Sequence, residues 1–183
     1  MNYYAHTADG PDGKPAGVEQ WQLLKDHLRN VASLARSLAE PLDLAAEAEL
    51  TGLLHDLGKY AKRFQCRLHD NSIHGINHWA AGAAHAAELR LHNSAFAVDG
   101  HHTGMPARDG DGLKQTIARM RSDTERESYC KCVESISGLL HRFAEDGLRL
   151  PHVPARSASD PFSEALRTRL LFSCVVDAEP LPV

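Results

Sequence analysis

A histidine and an aspartate stand side by side at positions 55 and 56, inside an otherwise apolar run. Burying an aspartate beside an imidazole costs several kcal/mol unless a positive charge or a hydrogen-bond donor compensates. On a helix, Lys59 shares a face with His55 at a spacing of four residues and with Asp56 at a spacing of three. The sequence therefore predicts that an imidazole, a carboxylate and an ammonium meet at one point, where they could hold a cation and a phosphate.

The same stretch also has a purely structural interpretation. Gly58 could end the helix, and Lys59 would then lie beside the exposed carbonyl groups of its last turn. For an isolated His-Asp pair this interpretation is favoured, because so short a motif occurs often without function. The rest of the chain decides between the two.

Further polar residues lie on or at the ends of apolar helical patterns. His27, for example, interrupts the apolar stripe between Leu24 and Val31, and an aspartate ends the apolar run at 172–178. Each has a structural explanation of its own, but with His55 and Asp56 they supply five imidazoles and two carboxylates, enough for two divalent ions with Asp56 as the bridge. The seven candidate metal ligands are His27, His55, Asp56, His78, His101, His102 and Asp177.

This set of ligands has a preferred chemistry. Imidazole and carboxylate groups without thiolates suit manganese, iron, nickel, cobalt or zinc better than calcium, and magnesium is possible. Two such ions, about 3.5–4 Å apart, are the usual device for in-line displacement at phosphorus. Lys59 would add a positive charge where negative charge develops on the phosphoryl oxygens. We therefore predict a metal-dependent hydrolase of phosphate esters, with Asp56 and Lys59 at the reacting centre.

Helical periodicity accounts for most of the chain, and no segment alternates with the period of a strand. We predict an all-α bundle of about seven helices around a central metal site, with an irregular lead-in over residues 1–17 and a loop or broken helix over 60–76. Asp43 and Asn77 are the predicted caps of the second and third helices. The predicted helices are Glu19–Ala39, Leu44–Gly58, His78–His92, Ser94–Gly104, Leu113–Arg121, Ser128–Gly147 and a last one that Asp160-Pro161 opens.

Composition restricts the class of protein. A chain of 183 residues with 43% hydrophobic content fits a single domain with a substantial core. No apolar run is long enough to span a membrane and no signal peptide is present, so we expect a cytoplasmic monomer without membrane contact. The net charge of −4 means that a nucleic acid would have to be attracted by local patches or by bound metal. Lys62, Arg63 and Arg67 form one such patch, which is either a phosphate contact or a solvated surface, and His6 is either a distal contact or a solvated loop residue.

Six short motifs follow one another in a known order. Together they resemble the HD nuclease domain of type I CRISPR nuclease-helicases, within the HD phosphohydrolase superfamily, and the resemblance covers residues 4–179. The motifs are Tyr4-Ala5-His6-Thr7, Trp21-Gln22-Leu23-Leu24-Lys25-Asp26-His27, Leu54-His55-Asp56-Leu57-Gly58-Lys59, His78-Trp79-Ala80-Ala81-Gly82-Ala83, His101-His102-Thr103-Gly104 and Val176-Asp177-Ala178.

The resemblance implies a role for each matching residue. His27, His55, Asp56 and Asp177 would hold one metal ion, and Lys59 would contact the scissile phosphate or assist the leaving group. The second ion would be held by Asp56, His78, His101 and His102.

The resemblance also implies a substrate and partners. Such domains cut single-stranded DNA that a superfamily 2 helicase supplies, and a crRNA-guided surveillance complex recruits them. The helicase domain is absent from these 183 residues, so we expect either an excised domain or a separate nuclease subunit. Two alternatives stay open: an HD-type phosphohydrolase of nucleotides or cyclic dinucleotides, and a binding module without catalysis.

Overall fold

The computed structural model describes residues 1–10, 16–102, 104–105, 112–154 and 160–179. These residues are mostly helical, so the predicted all-α class is confirmed. Thr103 of the fifth motif and residues 180–183 lie outside the described residues. The nine α-helices of the described residues are α1 (Leu24–Ala39), α2 (Ala45–Leu54), α3 (Lys62–His69), α4 (Ala80–Glu88), α5 (His92–Gly100), α6 (Gly112–Arg121), α7 (Asp123–Cys130), α8 (Ile136–Glu145) and α9 (Pro161–Ala178).

The described residues form two more helices than predicted, and the additional helices arise in two places. The segment expected as a loop or broken helix contains α3. The single helix predicted over residues 128–147 is wrong, because α7 ends at Cys130 and α8 begins only at Ile136. Lys131 ends α7 in the left-handed conformation with a φ of 54°, and the Ser135 side chain caps α8 by accepting from the Gly138 amide. Val133, which the apolar periodicity had placed inside, is 65% exposed.

The prediction that the chain contains no strand is also wrong. Tyr4–His6 (β1) pairs antiparallel with Gln22–Leu23 (β2). A strand of two residues is too short to show a period of two. The pairing is supported from a distant part of the chain, since the Gln65 side chain accepts a hydrogen bond from the Tyr4 amide and donates one to the Tyr4 carbonyl. The lead-in is thereby fastened beside α1 and α3.

Several helix ends differ from prediction by a few residues. The helix predicted from Glu19 begins at Leu24, because the residues before it form a short 3-10 turn and β2. Asp43 does not cap α2: it has a left-handed conformation with a φ of 56°, and Leu44 is the N-cap. At α9 the prediction is confirmed, since the Asp160 carboxylate accepts from the Phe162 and Ser163 amides.

The core surrounds the end of α2. Helix α1 packs against α2 and α9, and α5 packs against α4 and α9. Two glycines permit the closest approaches. A Cβ on Gly82 of α4 would overlap the Leu54 carbonyl of α2, and a Cβ on Gly58 would overlap the backbone of His78. The segment that carries the His-Asp pair is therefore pressed against the beginning of α4.

Candidate metal centre

Asp56 lies at the centre of the site and is completely buried. It follows the last turn of α2 and precedes a 3-10 turn over Leu57–Tyr60. The Gly58 amide donates to the His78 carbonyl at 2.9 Å, which fastens this turn to the residues before α4. The two oxygens of the Asp56 carboxylate face different groups of side chains.

Oδ2 of Asp56 faces α1 and the end of α2. The Nε2 atom of His27 lies 3.1 Å from this oxygen, and the Nε2 atom of His55 lies 3.2 Å from it. The two Nε2 atoms are themselves 3.1 Å apart. Three ligand-type atoms from three positions in the sequence thus surround one point.

Oδ1 of Asp56 faces the beginning of α4 and the end of α5. The Nε2 atoms of His78 and His101 lie 3.3 Å and 3.8 Å from this oxygen. The Nε2 atom of His102 lies 2.7 Å from that of His78. Asp56, His78, His101 and His102 offer four ligand atoms, all within 4.8 Å of one another.

Two of the imidazoles are oriented by backbone carbonyls. The Nδ1–H group of His55 donates to the Gly52 carbonyl at 2.6 Å, and that of His101 donates to the Val98 carbonyl at 2.7 Å. In the neutral ring this leaves the lone pair on Nε2, which points at Asp56. Such backbone support is the usual arrangement behind a metal-binding histidine.

The surroundings of the site favour a deprotonated Asp56 and neutral imidazoles at His27 and His78. Burial alone would raise the pKa of Asp56, but the charge of Lys59 and the imidazole of His55 hold it well below its usual range. Burial lowers the pKa of His78 to about 3 and also lowers the pKa of His27. Metal ions bind the deprotonated forms of these groups, so at these positions the electrostatics favour a cation. Burial alone would lower the pKa of His55, but the charge of Asp56 raises it, so a metal ion would compete with a proton there.

Lys59 and His6 complete one edge of the site. The ammonium of Lys59 lies 2.6 Å from Oδ2 of Asp56, as the spacing of three residues predicted. His6 comes from β1, is exposed, and places Nε2 3.4 Å from the Lys59 ammonium. Although the His6 residue is exposed, the protein atoms packed around its ring reduce its solvation and, together with the charge of Lys59, lower its pKa to about 4. Of the two interpretations of His6, the distal contact fits this position better than a solvated loop.

The structure does not bring Asp177 into this cluster. Asp177 is exposed on α9, whereas a carboxylate oxygen of Glu179 lies within 4.8 Å of ligand atoms of His55 and Asp56. The two residues are two positions apart, so they leave the helix in nearly opposite directions. The apolar run before Asp177 made that residue a candidate ligand. The way α9 packs on the core turns the Asp177 side chain to solvent instead. The five candidate histidines of the sequence analysis lie together around Asp56.

The residues present fit a divalent cation. Oδ1 of Asp56 and Nε2 of His101 are buried and have no hydrogen-bond partner among the described residues. Two unpaired acceptors that face each other in a buried site are costly unless a cation lies between them. Neutral imidazoles and carboxylates are the ligands that zinc, iron and manganese prefer. The cluster can therefore hold a metal.

Comparison with protein families identifies the class. The HD-domain family matches residues 24–141, which is more than half of the chain, so the chain belongs to the HD-domain family. Membership of this family makes the chain a metal-dependent phosphohydrolase. A search of curated proteins finds no significant match. None of the described helices has the length and apolar character needed to cross a bilayer.

Proposed function

We propose that this HD-domain protein is a single-stranded DNA nuclease of CRISPR interference that hydrolyses phosphodiester bonds with two divalent ions. The observation that carries the proposal is that the two oxygens of the Asp56 carboxylate face different pairs of histidines. Its Oδ2 faces His27 and His55, and its Oδ1 faces His78 and His101. A carboxylate shared in this way is suited to bridging two ions.

Each part of the site has a role in this reaction. One ion would be held by Asp56 with His27 and His55, and the other by Asp56 with the histidines beside α4 and α5. Divalent ions at such a site activate water for attack and neutralise charge on the phosphoryl oxygens. Lys59, whose ammonium already lies within the cluster, would stabilise the scissile phosphate or the leaving oxygen.

The exposed edge of the site supports a polymeric substrate over a small one. His102 and His6 are both exposed, although each lies next to buried members of the cluster. A strand of nucleic acid could therefore approach from solvent without an enclosing cavity. Phe64 on α3 packs on His78 with ring centroids 5.3 Å apart, so α3 borders the site, and Lys62 and Arg63 at the beginning of this helix are exposed.

The ordered motifs support the biological setting. All six resemble those of type I CRISPR nuclease-helicase HD domains, and the four that supply His27, the His-Asp pair, His78 and His101-His102 meet at one site. On this proposal the partners are a superfamily 2 helicase, as a domain or a subunit, and a crRNA-guided surveillance complex. The helicase would present displaced single-stranded DNA to the nuclease.

The test uses circular single-stranded DNA, which only an endonuclease can open, together with a panel of nucleotides and cyclic dinucleotides. We expect the wild type to cut the circle with Mn²⁺ and Asp56→Asn to lose at least about a thousandfold in rate, since both ions depend on this carboxylate. The matched control is Asp26→Asn, because the Asp26 carboxylate is half exposed on α1 and, among the described residues, pairs with Arg29 alone. It should cut like the wild type.

The other outcomes separate the remaining functions. Turnover of a nucleotide while the DNA circle stays intact would overturn the nuclease and favour an HD-type nucleotide phosphohydrolase. Bound metal without turnover of any substrate, across several metals, would favour a binding module.

A further inference from the structure

We infer that Glu179, and not Asp177, supplies the carboxylate ligand that α9 contributes to the ion beside His55 and Asp56. The inference rests on the metal binding proposed above and departs from the residue that the family resemblance indicates. A carboxylate oxygen of Glu179 lies within 4.8 Å of a ring nitrogen of His55 and an oxygen of Asp56. Asp177 belongs to none of the groups of ligand atoms that the described residues form.

The register of α9 explains this difference. Residues four apart share a face of a helix, so Glu179 follows Val175, which is fully buried, and Asp177 follows Ser173, which is exposed. The Glu179 amide still donates to the Val175 carbonyl at 3.1 Å, so helical geometry extends to this residue. Turning Asp177 to the site would require α9 to rotate by roughly half a turn and to expose Val175.

The charge balance of the site also calls for a cation next to Glu179. The carboxylates of Asp56 and Glu179 approach each other, and one ammonium, that of Lys59, lies 2.6 Å from Asp56. One ammonium can neutralise one of the two carboxylates, so a divalent cation would be attracted to the second. A divalent ion between Glu179, His55 and Asp56 would remove this repulsion and would be held by atoms already near each other.

The experiment measures metal binding rather than activity. Metal-free wild type, Glu179→Gln and Asp177→Asn are titrated with Mn²⁺ in a calorimeter, and bound metal is counted after dialysis. We expect Glu179→Gln to lose one ion or to bind it at least about tenfold more weakly, and Asp177→Asn to match the wild type. Both substitutions exchange a carboxylate for an amide of the same size. Thermal unfolding of the metal-free proteins shows whether each variant is folded.

The outcomes distinguish this inference from the proposed function. Weaker binding in Asp177→Asn with normal binding in Glu179→Gln would overturn the inference, and so would equal weakening in both variants. Normal binding in both would overturn it as well, while leaving the nuclease proposal intact. If the wild type bound no Mn²⁺, the metal-dependent function itself would fail.

A second, independent observation concerns a basic cavity of about 560 Å³ between the beginning of α3 and the end of α7. Its cations are Lys62, Arg63 and Lys131, and none of the three forms an ion pair with another described residue. We propose that this basic cavity binds the sugar-phosphate backbone of the single-stranded substrate. The cavity is also lined by Thr124, Ser128 and Glu127.

The chemistry and the position of the basic cavity favour this ligand. Three unpaired cations stand out in a chain of net charge −4, and the hydroxyl groups of Thr124 and Ser128 can donate to phosphate oxygens. Arg63 is followed directly by Phe64, whose ring lies against His78 and 5.5 Å from the Lys59 ammonium. Helix α3 thus borders the metal centre through Phe64 and the basic cavity through Lys62 and Arg63, and the proposal, which rests on the nuclease function, places the strand across this helix.

The test compares two triple variants of the full chain. In the first, Lys62, Arg63 and Lys131 are each changed to Gln. The control changes Lys114, Arg121 and Arg169 to Gln, because these three exposed cations lie on α6 and α9 and carry the same charge. Binding of a labelled single-stranded oligonucleotide is measured by fluorescence anisotropy in EDTA over a range of salt concentrations.

We expect the first variant to bind at least about tenfold more weakly, with a salt dependence reduced by about 2 in log–log slope for three lost phosphate contacts. Thermal unfolding of the two triple variants shows whether each is folded. Equal weakening in both variants, or no weakening in the first, would overturn the proposal. If the wild type cuts DNA although the first variant binds the oligonucleotide normally, the proposal for the basic cavity fails and the nuclease proposal stands.

Discussion

The ammonium of Lys59 lies 2.6 Å from Oδ2 of Asp56, and both side chains are almost completely buried. This ion pair stabilises a carboxylate that would otherwise be charged inside the core. The Nε2 atoms of His27 and His55 also approach Oδ2 of Asp56. In the protein without metal, Lys59 is thus the main positive charge that balances Asp56.

Removing this ammonium should destabilise the metal-free protein and make its stability depend on metal. Breaking one partner of a buried ion pair costs about 3–5 kcal/mol, so we expect Lys59→Met to lower the free energy of unfolding by that amount in EDTA. Mn²⁺ should restore part of the loss, because the ion takes over the neutralisation of Asp56. Urea unfolding with and without Mn²⁺ measures both effects. Lys62→Met, on an exposed side chain three residues further, is the control; an equal loss there would contradict the role of the pair.

Acid should destabilise the metal-free protein through His78. Burial lowers the pKa of this imidazole from 6.5 to about 3, so between these values the unfolded chain binds a proton that the folded chain does not. The free energy of unfolding is therefore unaffected by this imidazole above the pKa that it has in the unfolded chain. As the pH falls below that value the free energy of unfolding decreases, by about 2 kcal/mol near pH 5.

His78→Gln should remove this part of the pH dependence. The measurement is urea unfolding in EDTA at about pH 7.5 and about pH 5. The control is His141→Gln, because the side chain of His141 is 75% exposed on α8. A wild type as stable at the lower pH as at the higher one would contradict the burial of a neutral imidazole.

Metal should stabilise the folded protein through Asp56. A ligand that binds only the folded state, at a concentration one hundred times its Kd, adds about 2.7 kcal/mol per site. We expect Mn²⁺ to raise the Tm of the wild type, and chelation to reverse the rise. In Asp56→Asn, which lacks the shared carboxylate, Mn²⁺ should leave the Tm nearly unchanged. A rise as large as in the wild type would show that the ions bind elsewhere.

The contact between α2 and α4 should tolerate no side chain at Gly82. A Cβ there would overlap the Leu54 carbonyl, so Gly82→Ala forces the two helices apart. We expect a loss of at least about 1–3 kcal/mol in the free energy of unfolding, the usual range for overpacking. Gly138→Ala in α8 is the control, because the one described atom within 4 Å of its Cβ would be the Ser135 hydroxyl, at 3.4 Å. There the change should be neutral or stabilising by up to about 1 kcal/mol.

Much of the site could be predicted because its chemistry conflicts with its surroundings. Imidazoles and a carboxylate within apolar helical patterns need partners, and His27, His55, Asp56 and His101 do meet in the core. The helical class followed from the apolar periodicity, and Asp160 marked the beginning of α9 by local capping chemistry. These features depend on residues close together in the sequence.

Long-range packing decided the rest. The β1–β2 pairing is supported by Gln65, about sixty residues away from Tyr4, and a two-residue strand leaves no periodic pattern. The break after α7 occurs because Lys131 adopts a left-handed conformation, which lysine does not signal in a sequence. The choice between Asp177 and Glu179 depends on how α9 rotates against α1 and α5. Sequence thus revealed which groups needed a partner, whereas only the packed helices determined which carboxylate reached it, because a rotation of one helix moves every side chain on it together.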